Sequence, residues 1–274
     1  LRARVISAGV LSAIVLGATL AGGWLFAVIS TLIAVIVWAE WFDVVCPNGD
    51  DRIRLLGFYF LCLVFLGALI VPTGAMPLVW AVATIAFALS SVALSGGKWS
   101  VVGFLYSGMA LVALNMLRGS GPYASGLIAV LFLFAVVWAT DIGAYFSGRH
   151  FGGPKIAPVI SPKKTWSGGI GGVVSAMVAA VVVFGCAGLD GYLRAVGLAI
   201  VLSVISQAGD FFESWIKRRN GVKDSSHIIP GHGGFMDRVD GLVFAAIALW
   251  MLSVLDAGFA RPSSAYFGTW VVAR

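Results

Sequence analysis

The sequence predicts an all-α fold: a polytopic integral membrane helix bundle with about nine transmembrane helices, each needing roughly 20 apolar residues to cross the bilayer. Three observations carry this reading. Hydrophobic residues make up 60% of the chain and charged residues only 11%. Apolar stretches of membrane-spanning length recur from end to end. The few lysines and arginines gather in alternate connecting loops. Helices follow because lipid offers no partner for backbone donors and acceptors, so a spanning segment must satisfy them within itself.

Taken in order, the predicted spans cover residues 5–21, 23–39, 55–71, 78–95, 101–117, 124–147, 169–188, 194–212 and 241–258. The first two are divided only by Gly22-Gly23, and a single long tilted helix is the alternative. No short apolar core with a small-residue cleavage site marks a removable signal peptide, so this segment reads as membrane-embedded. Leu1 in place of Met points to a start further upstream.

With nine spans, one side of the membrane receives Arg2, Arg4, Arg52, Arg54, Lys98, Arg149, Lys155, Lys163, Lys164, Lys217, Arg218, Arg219, Lys223 and Arg238. Only Arg118, Arg194, Arg261 and Arg274 fall on the other. The richer side is expected to be cytoplasmic, with the C-terminus outside. A net charge of +6 does not indicate nucleic-acid binding here, because the basic residues are dispersed over short loops without interleaved aromatics. Membrane lipids with anionic head groups and phosphate-bearing substrates suit that pattern better. Cys46, Cys62 and Cys186 lack any CxxC or Cys/His spacing and read as packing residues.

No fixed-period repeat or low-complexity linker divides the chain, so 1–274 reads as a single membrane domain. Residues 1–117 supply spans of low chemical content; Glu40, Asp43, Asp50 and Asp51 look like a solvated or interfacial face. Residues 118–274 carry the chemistry, in two polar loops at about 148–168 and 213–240 on the cytoplasmic side.

Charge is concentrated from Asp210 to Asp240, between two apolar spans. Charges at membrane depth cost several kcal/mol unless paired, hydrated or ion-bound, which marks this stretch as a functional site. Asp210, Glu213, Ser214 and Lys217 follow helical i, i+3, i+4, i+7 spacing and share a face, while Phe211, Phe212 and Trp215 point elsewhere. Asn220-Gly221 should break the helix, and Pro230-Gly231-His232-Gly233-Gly234 makes a second turn in which glycines let backbone approach a ligand. Asp237 and Asp240 are three apart at the start of the last span. With Asp210 they offer hard oxygen ligands for Mg2+, which is ordinarily held by one or two carboxylates plus phosphates and water. Helix-end ion pairing with Lys217, Arg218 and Arg238 is the competing explanation. His232 suits either a phosphate contact or a turn hydrogen bond; His227 reads as structural. No zinc pattern is present.

Asp141, Tyr145 and Arg149 share a face near the end of the sixth span, and Asp141 is either a site residue or the partner of a lysine. Lys163 and Lys164, within Ser161-Pro162-Lys163-Lys164-Thr165, suit a polyphosphate or anionic lipid heads equally. Gly153-Pro154 excludes a Walker A loop. Gly168 and Gly172 are the small residues expected where two membrane helices pack closely.

The run from Ser214 to Asp240, SWIKRRNGVKDSSHIIPGHGGFMDRVD, resembles the phosphatidate cytidylyltransferase family, also called CDP-diacylglycerol synthases. DIGAYFSGRHFG from Asp141, SPKKTWSGG from Ser161 and QAGD from Gln207 support it, so the resemblance lies mainly in the C-terminal half. It implies that CTP and phosphatidate yield CDP-diacylglycerol and pyrophosphate in phospholipid biosynthesis. It further implies Mg2+ held by Asp210, Asp237 and Asp240 with Ser214 nearby, and admits K+ beside it. Lys217, Arg218, Lys223 and Arg238 would bind substrate phosphates, and Lys163 and Lys164 the triphosphate tail. A homodimer is implied by the resemblance alone, and a bacterial inner membrane with the active site facing the cytoplasm by the resemblance together with the loop charges. Another CTP-dependent lipid enzyme, such as a polyprenol kinase or an ether-lipid cytidylyltransferase, is the nearest alternative. A transporter fits less well, because transport sites usually lie near the bilayer midplane.

Overall fold

The computed structural model describes residues 2–71, 75–119, 124–229 and 233–257. Its described elements are α1 (Arg2–Ala21), α2 (Gly23–Val45), α3 (Asp51–Ile70), α4 (Met76–Ala93), α5 (Lys98–Arg118), α6 (Ala124–Phe151), β1 (Lys155–Ala157), β2 (Ser161–Thr165), α7 (Trp166–Ala187), α8 (Tyr192–Arg219) and α9 (Met236–Ala257). The helical membrane fold is therefore as expected. Eight helices, α2 to α9, are long and apolar enough to span a bilayer, and in α1 the stretch Gly9–Ala21 is apolar as well. The chain is an integral membrane protein.

The turn at Gly22 separates α1 from α2, which settles the first pair as two helices. Gly22 and Gly23 both take positive φ, at 66° and 53°, a conformation that glycine adopts without a Cβ clash. Several helices run past the apolar stretch that predicted them: α6 continues to Phe151 and α8 to Arg219. The polar continuation of α8 is supported inside the protein by the buried pair Glu213–Lys217, four residues apart at 2.6 Å. The break then falls at Asn220-Gly221, with Gly221 at φ 73°. The connection at 148–168 is not a plain loop. It folds into an antiparallel hairpin that pairs Lys155 with Thr165 and Ala157 with Ser161.

The chain forms two compact units, Leu1–Pro122 with Arg219–Val239, and Tyr123–Arg218 with Asp240–Arg274. The signature loop thus packs with the N-terminal spans, and a division by chain order at 117/118 does not describe the packing. In the first unit, Trp38, Phe87 and Phe104 are fully buried, with the Phe87 and Phe104 rings stacked at 4.3 Å. Trp38 and Trp41 donate their indole N–H groups to the carbonyls of Arg54 and Trp99, at 3.0 and 2.9 Å, so neither of these two donors is stranded by burial.

In the second unit α6 and α7 approach through glycine. A Cβ at Gly168 would stand 2.9 Å from the Ala144 carbonyl oxygen, and one at Gly172 would stand 2.9 Å from that of Thr140. The close packing expected of those two glycines is what the structure contains. The thiols are another matter. Cys62 and Cys186 lie exposed on α3 and α7, so the expectation of three packing cysteines holds only for half-buried Cys46. Both exposed cysteines sit on apolar helices whose outer faces need only be lipid-soluble, which a thiol satisfies. Burial pushes the Cys46 thiol up, keeping it protonated and unreactive.

Candidate active site

In the second unit, polar groups of the β1–β2 hairpin meet α7 and α8, close to the start of α9. Thr165 closes β2 and caps α7: it is buried, and its hydroxyl accepts a hydrogen bond from Gly168 N–H at 3.1 Å. Ser167 binds the Gly152 carbonyl, and Trp166 N–H donates to the Pro154 carbonyl at 3.1 Å. These contacts fix the hairpin against α7 and so fix the two lysines it carries. Lys163 is exposed. Lys164 reaches Asp210 on α8 in an ion pair and also lies over the Phe211 ring, 4.4 Å from its centroid.

Asp240, half-buried in the first turns of α9, shares this region: Asp210 and Asp141 act on its carboxylate as like charges and Lys164 as the opposing one. Gly209 permits this arrangement, since a Cβ there would stand 2.8 Å from the Asp240 carbonyl oxygen and 2.9 Å from the Phe244 side chain. The Gly241 N–H donates to Asp240 Oδ1 at 2.8 Å. Gln207, one turn before Asp210, donates to the Gly169 carbonyl at 3.3 Å, tying α8 to the start of α7. Lys164 of the hairpin thus meets Asp210 of α8, whose neighbour Gly209 packs on the Asp240 backbone at the start of α9.

The other predicted residues divide in two groups. Lys217 is buried and its ammonium is held by Glu213, so its charge is already matched. Ser214 is half-buried; Arg218, Lys223, Arg238 and His227 are exposed. Arg149 donates to the Tyr145 hydroxyl at 2.9 Å, as their shared helix face requires. Asp237 accepts from the N–H of Ser225 at 3.1 Å and of Gly234 at 2.8 Å, which makes it a clasp for the signature loop. His232 lies outside the described residues, as do Pro230 and Gly231.

Among the described residues no three His, Cys, Asp or Glu side chains stand close enough to make a ready-made metal group. Asp210 and Asp240 nevertheless fit Mg2+ in the form in which proteins commonly hold it, through one or two carboxylates completed by substrate phosphates and water. Their oxygens are hard donors, and the Lys164 ammonium beside Asp210 marks a place that a cation can take.

Glu40 is the residue that the sequence reading misplaced. It is not on a solvated face but 1% exposed, near the end of α2. Its carboxylate accepts from Ser225 Oγ (3.0 Å), Ser226 Oγ (2.5 Å), Phe235 N–H (2.8 Å) and Met236 N–H (2.6 Å). A charged residue in an otherwise apolar span was the available signal, because such a residue needs partners inside the protein.

This chain belongs to the cytidylyltransferase family, whose profile matches residues 2–255, and it is a nucleotidyltransferase. Among its relatives, the phosphatidate cytidylyltransferase of Brucella suis biovar 1 (strain 1330) is 41% identical over 268 residues, covering 97% of this chain and 98% of that protein. The protein of the same name from Staphylococcus haemolyticus (strain JCSC1435) is 39% identical over 170 residues, 61% of this chain and 65% of its own length. That of Haemophilus influenzae is 46% identical over 132 residues, 45% of this chain and 44% of its own.

Proposed function

We propose that the chain transfers the cytidylyl group of CTP to phosphatidate, forming CDP-diacylglycerol and releasing pyrophosphate. The observation that carries this reading is the Lys164–Asp210 ion pair beside Asp240 in a membrane-embedded member of the cytidylyltransferase family. The name borne by relatives that align over nearly the whole chain supports the acceptor.

In the reaction, a phosphate oxygen of phosphatidate attacks the α-phosphorus of CTP. A new P–O bond forms while the bond from that phosphorus to the oxygen bridging the α- and β-phosphates breaks, and the electron pair leaves with pyrophosphate. Both reactants are anions, so the protein's task is to bring them together and balance charge. Lys163 and Lys164 on the rigid hairpin are the cations for the triphosphate, with Lys164 exchanging its Asp210 partner for a phosphate oxygen. Exposed Arg218, Lys223 and Arg238 serve the phosphates of either substrate. Lys217 acts indirectly, because with Glu213 it stabilises the last turns of α8. Mg2+, when bound through Asp210 and Asp240, supplies further neutralisation of phosphate charge.

CTP is a cytosolic polyanion and phosphatidate is a bilayer lipid. A site to which a polar hairpin contributes, beside the start of α9, is where the two phases meet. The same logic, with the excess of basic residues in the loops of this side, assigns it to the cytoplasmic face of the plasma membrane.

The acceptor is tested by offering purified enzyme labelled CTP with phosphatidate, its ether-linked counterpart or a polyprenol. Incorporation fastest into phosphatidate is expected. Preference for the polyprenol or ether lipid would overturn the assignment.

A further inference from the structure

The strongest feature that the proposed chemistry leaves unused is buried Glu40. It comes from α2, yet every hydrogen bond it accepts comes from the signature segment about 185 to 196 positions later. Each carboxylate oxygen takes one serine hydroxyl and one backbone N–H: Oε1 from Ser226 and Phe235, Oε2 from Ser225 and Met236. Among the described residues no lysine, arginine or histidine forms an ion pair with it. Its charge is instead met by four donors, two of them N–H groups at the start of α9, where the helix dipole favours an anion. Buried charge is costly unless so fully satisfied, so the arrangement is specific rather than incidental.

The neighbouring contacts point the same way. Ser225 N–H is also held by Asp237, and Gly234 N–H by Asp237 Oδ2. Gly234 has no room for a side chain, since a Cβ there would stand 2.9 Å from Glu40 Oε2 and 2.9 Å from Ser226 N. Ile229 N–H donates to the Gly233 carbonyl at 3.0 Å, a further bond between the two clasped ends. Glu40 thus ties Ser225 and Ser226, just after Lys223, to Phe235 and Met236, just before Asp237 and Arg238.

We infer that Glu40 is a positioning residue for nucleotidyl transfer: an internal anion that holds the signature loop and the start of α9 in their reactive arrangement. The inference rests on the function proposed above, and its test separates the two. Glutamine at this position keeps size and shape but turns one oxygen into an NH2 group. A serine hydroxyl can rotate to accept from it; the backbone N–H of Phe235 or Met236 cannot. One buried donor then faces another.

The experiment compares Glu40→Gln with the unaltered enzyme and with Asp43→Asn, an exposed residue paired with Arg54 at 3.0 Å. Each is prepared with a spin label at His227→Cys in a background lacking the three native cysteines. Glu40→Gln is expected to retain its thermal transition in detergent, to mobilise the label and to lower kcat about 100-fold with smaller changes in KM, as lost orientation does. Asp43→Asn should match the unaltered enzyme in both readouts. Unchanged kcat, or a label as ordered as in the unaltered enzyme, would overturn the inference. A fall in activity that merely tracks a loss of folded protein would do so too. If Glu40→Gln does not fold, Ser225→Ala/Ser226→Ala removes two of the four donors and should give the same pairing of mobile label and lowered kcat. If the unaltered enzyme fails to use CTP at all, the proposed function falls, while the label still decides whether Glu40 holds the loop.

Discussion

Lys164, carried on a two-stranded hairpin, is ion-paired with Asp210 on α8, so a basic and an acidic signature segment of the second unit meet directly. The pair neutralises charge before substrate arrives and leaves each member available to it. A triphosphate can draw away the ammonium, and a cation can take its place at the carboxylate.

Lys164→Gln and Lys163→Gln should therefore both raise KM for CTP more than KM for phosphatidate. A hydrogen bond to a charged group contributes about 1.5–3 kcal/mol, which corresponds to roughly a 10- to 100-fold effect for each. Steady-state kinetics with each substrate varied in turn check this. A large phosphatidate effect with unchanged CTP dependence would assign the lysines to the lipid head group.

Asp210→Asn and Asp240→Asn should lower kcat by at least about 100-fold, on the scale of removing one preorganised charge from a transition-state site. Both proteins should remain folded in detergent. Asp237→Asn should differ from these two, because its carboxylate clasps Ser225 and Gly234 N–H groups. It should mobilise the signature loop, and added Mg2+ should not restore its activity. Titration of Mg2+ against rate in the three variants separates a cation-holding role from a loop-holding one.

Gly168→Val should destabilise the protein by about 1–3 kcal/mol, the usual cost of overpacking, since its Cβ would press on the Ala144 carbonyl. Gly197→Ala, where nothing lies within 4 Å of the added Cβ, should be neutral or slightly stabilising. Thermal unfolding in a single detergent gives the comparison.

These cases show what could be read from the residues alone. Helix number, the Gly22 break and the α6–α7 glycine contact were legible because length, hydropathy and small-residue spacing are local signals. Glu40 was not, since its partners lie at Ser225, Ser226, Phe235 and Met236 and no local pattern connects them to α2. The hairpin at Lys155–Thr165 was missed for a related reason. Its strands are short, and it is held by Thr165 capping α7 and by Trp166 N–H on the Pro154 carbonyl rather than by alternating hydrophobic residues. Asp210, Asp237 and Asp240 stand out by residue type alone; the pairing of Lys164 with Asp210 required the fold.

The proposed membrane orientation predicts thiol accessibility. Single cysteines at Val159 in the hairpin and at Asp224 in the signature loop, both exposed, should resist impermeant reagents in intact cells and react in inverted vesicles. A cysteine at exposed Asp190, between α7 and α8, should show the opposite pattern. Labelling of position 159 or 224 from outside would contradict a cytoplasmic nucleotide site.

The most direct measurement of the central claim follows the phosphorus atoms of CTP. Purified protein is incubated with phosphatidate, Mg2+ and CTP labelled at either the α- or the γ-phosphate, and the lipids are then extracted. Label from the α-position should enter a liponucleotide in step with pyrophosphate release, and label from the γ-position should remain in the aqueous phase. Transfer of γ-label to lipid would mark a kinase, and transfer of neither would contradict cytidylyl transfer to phosphatidate.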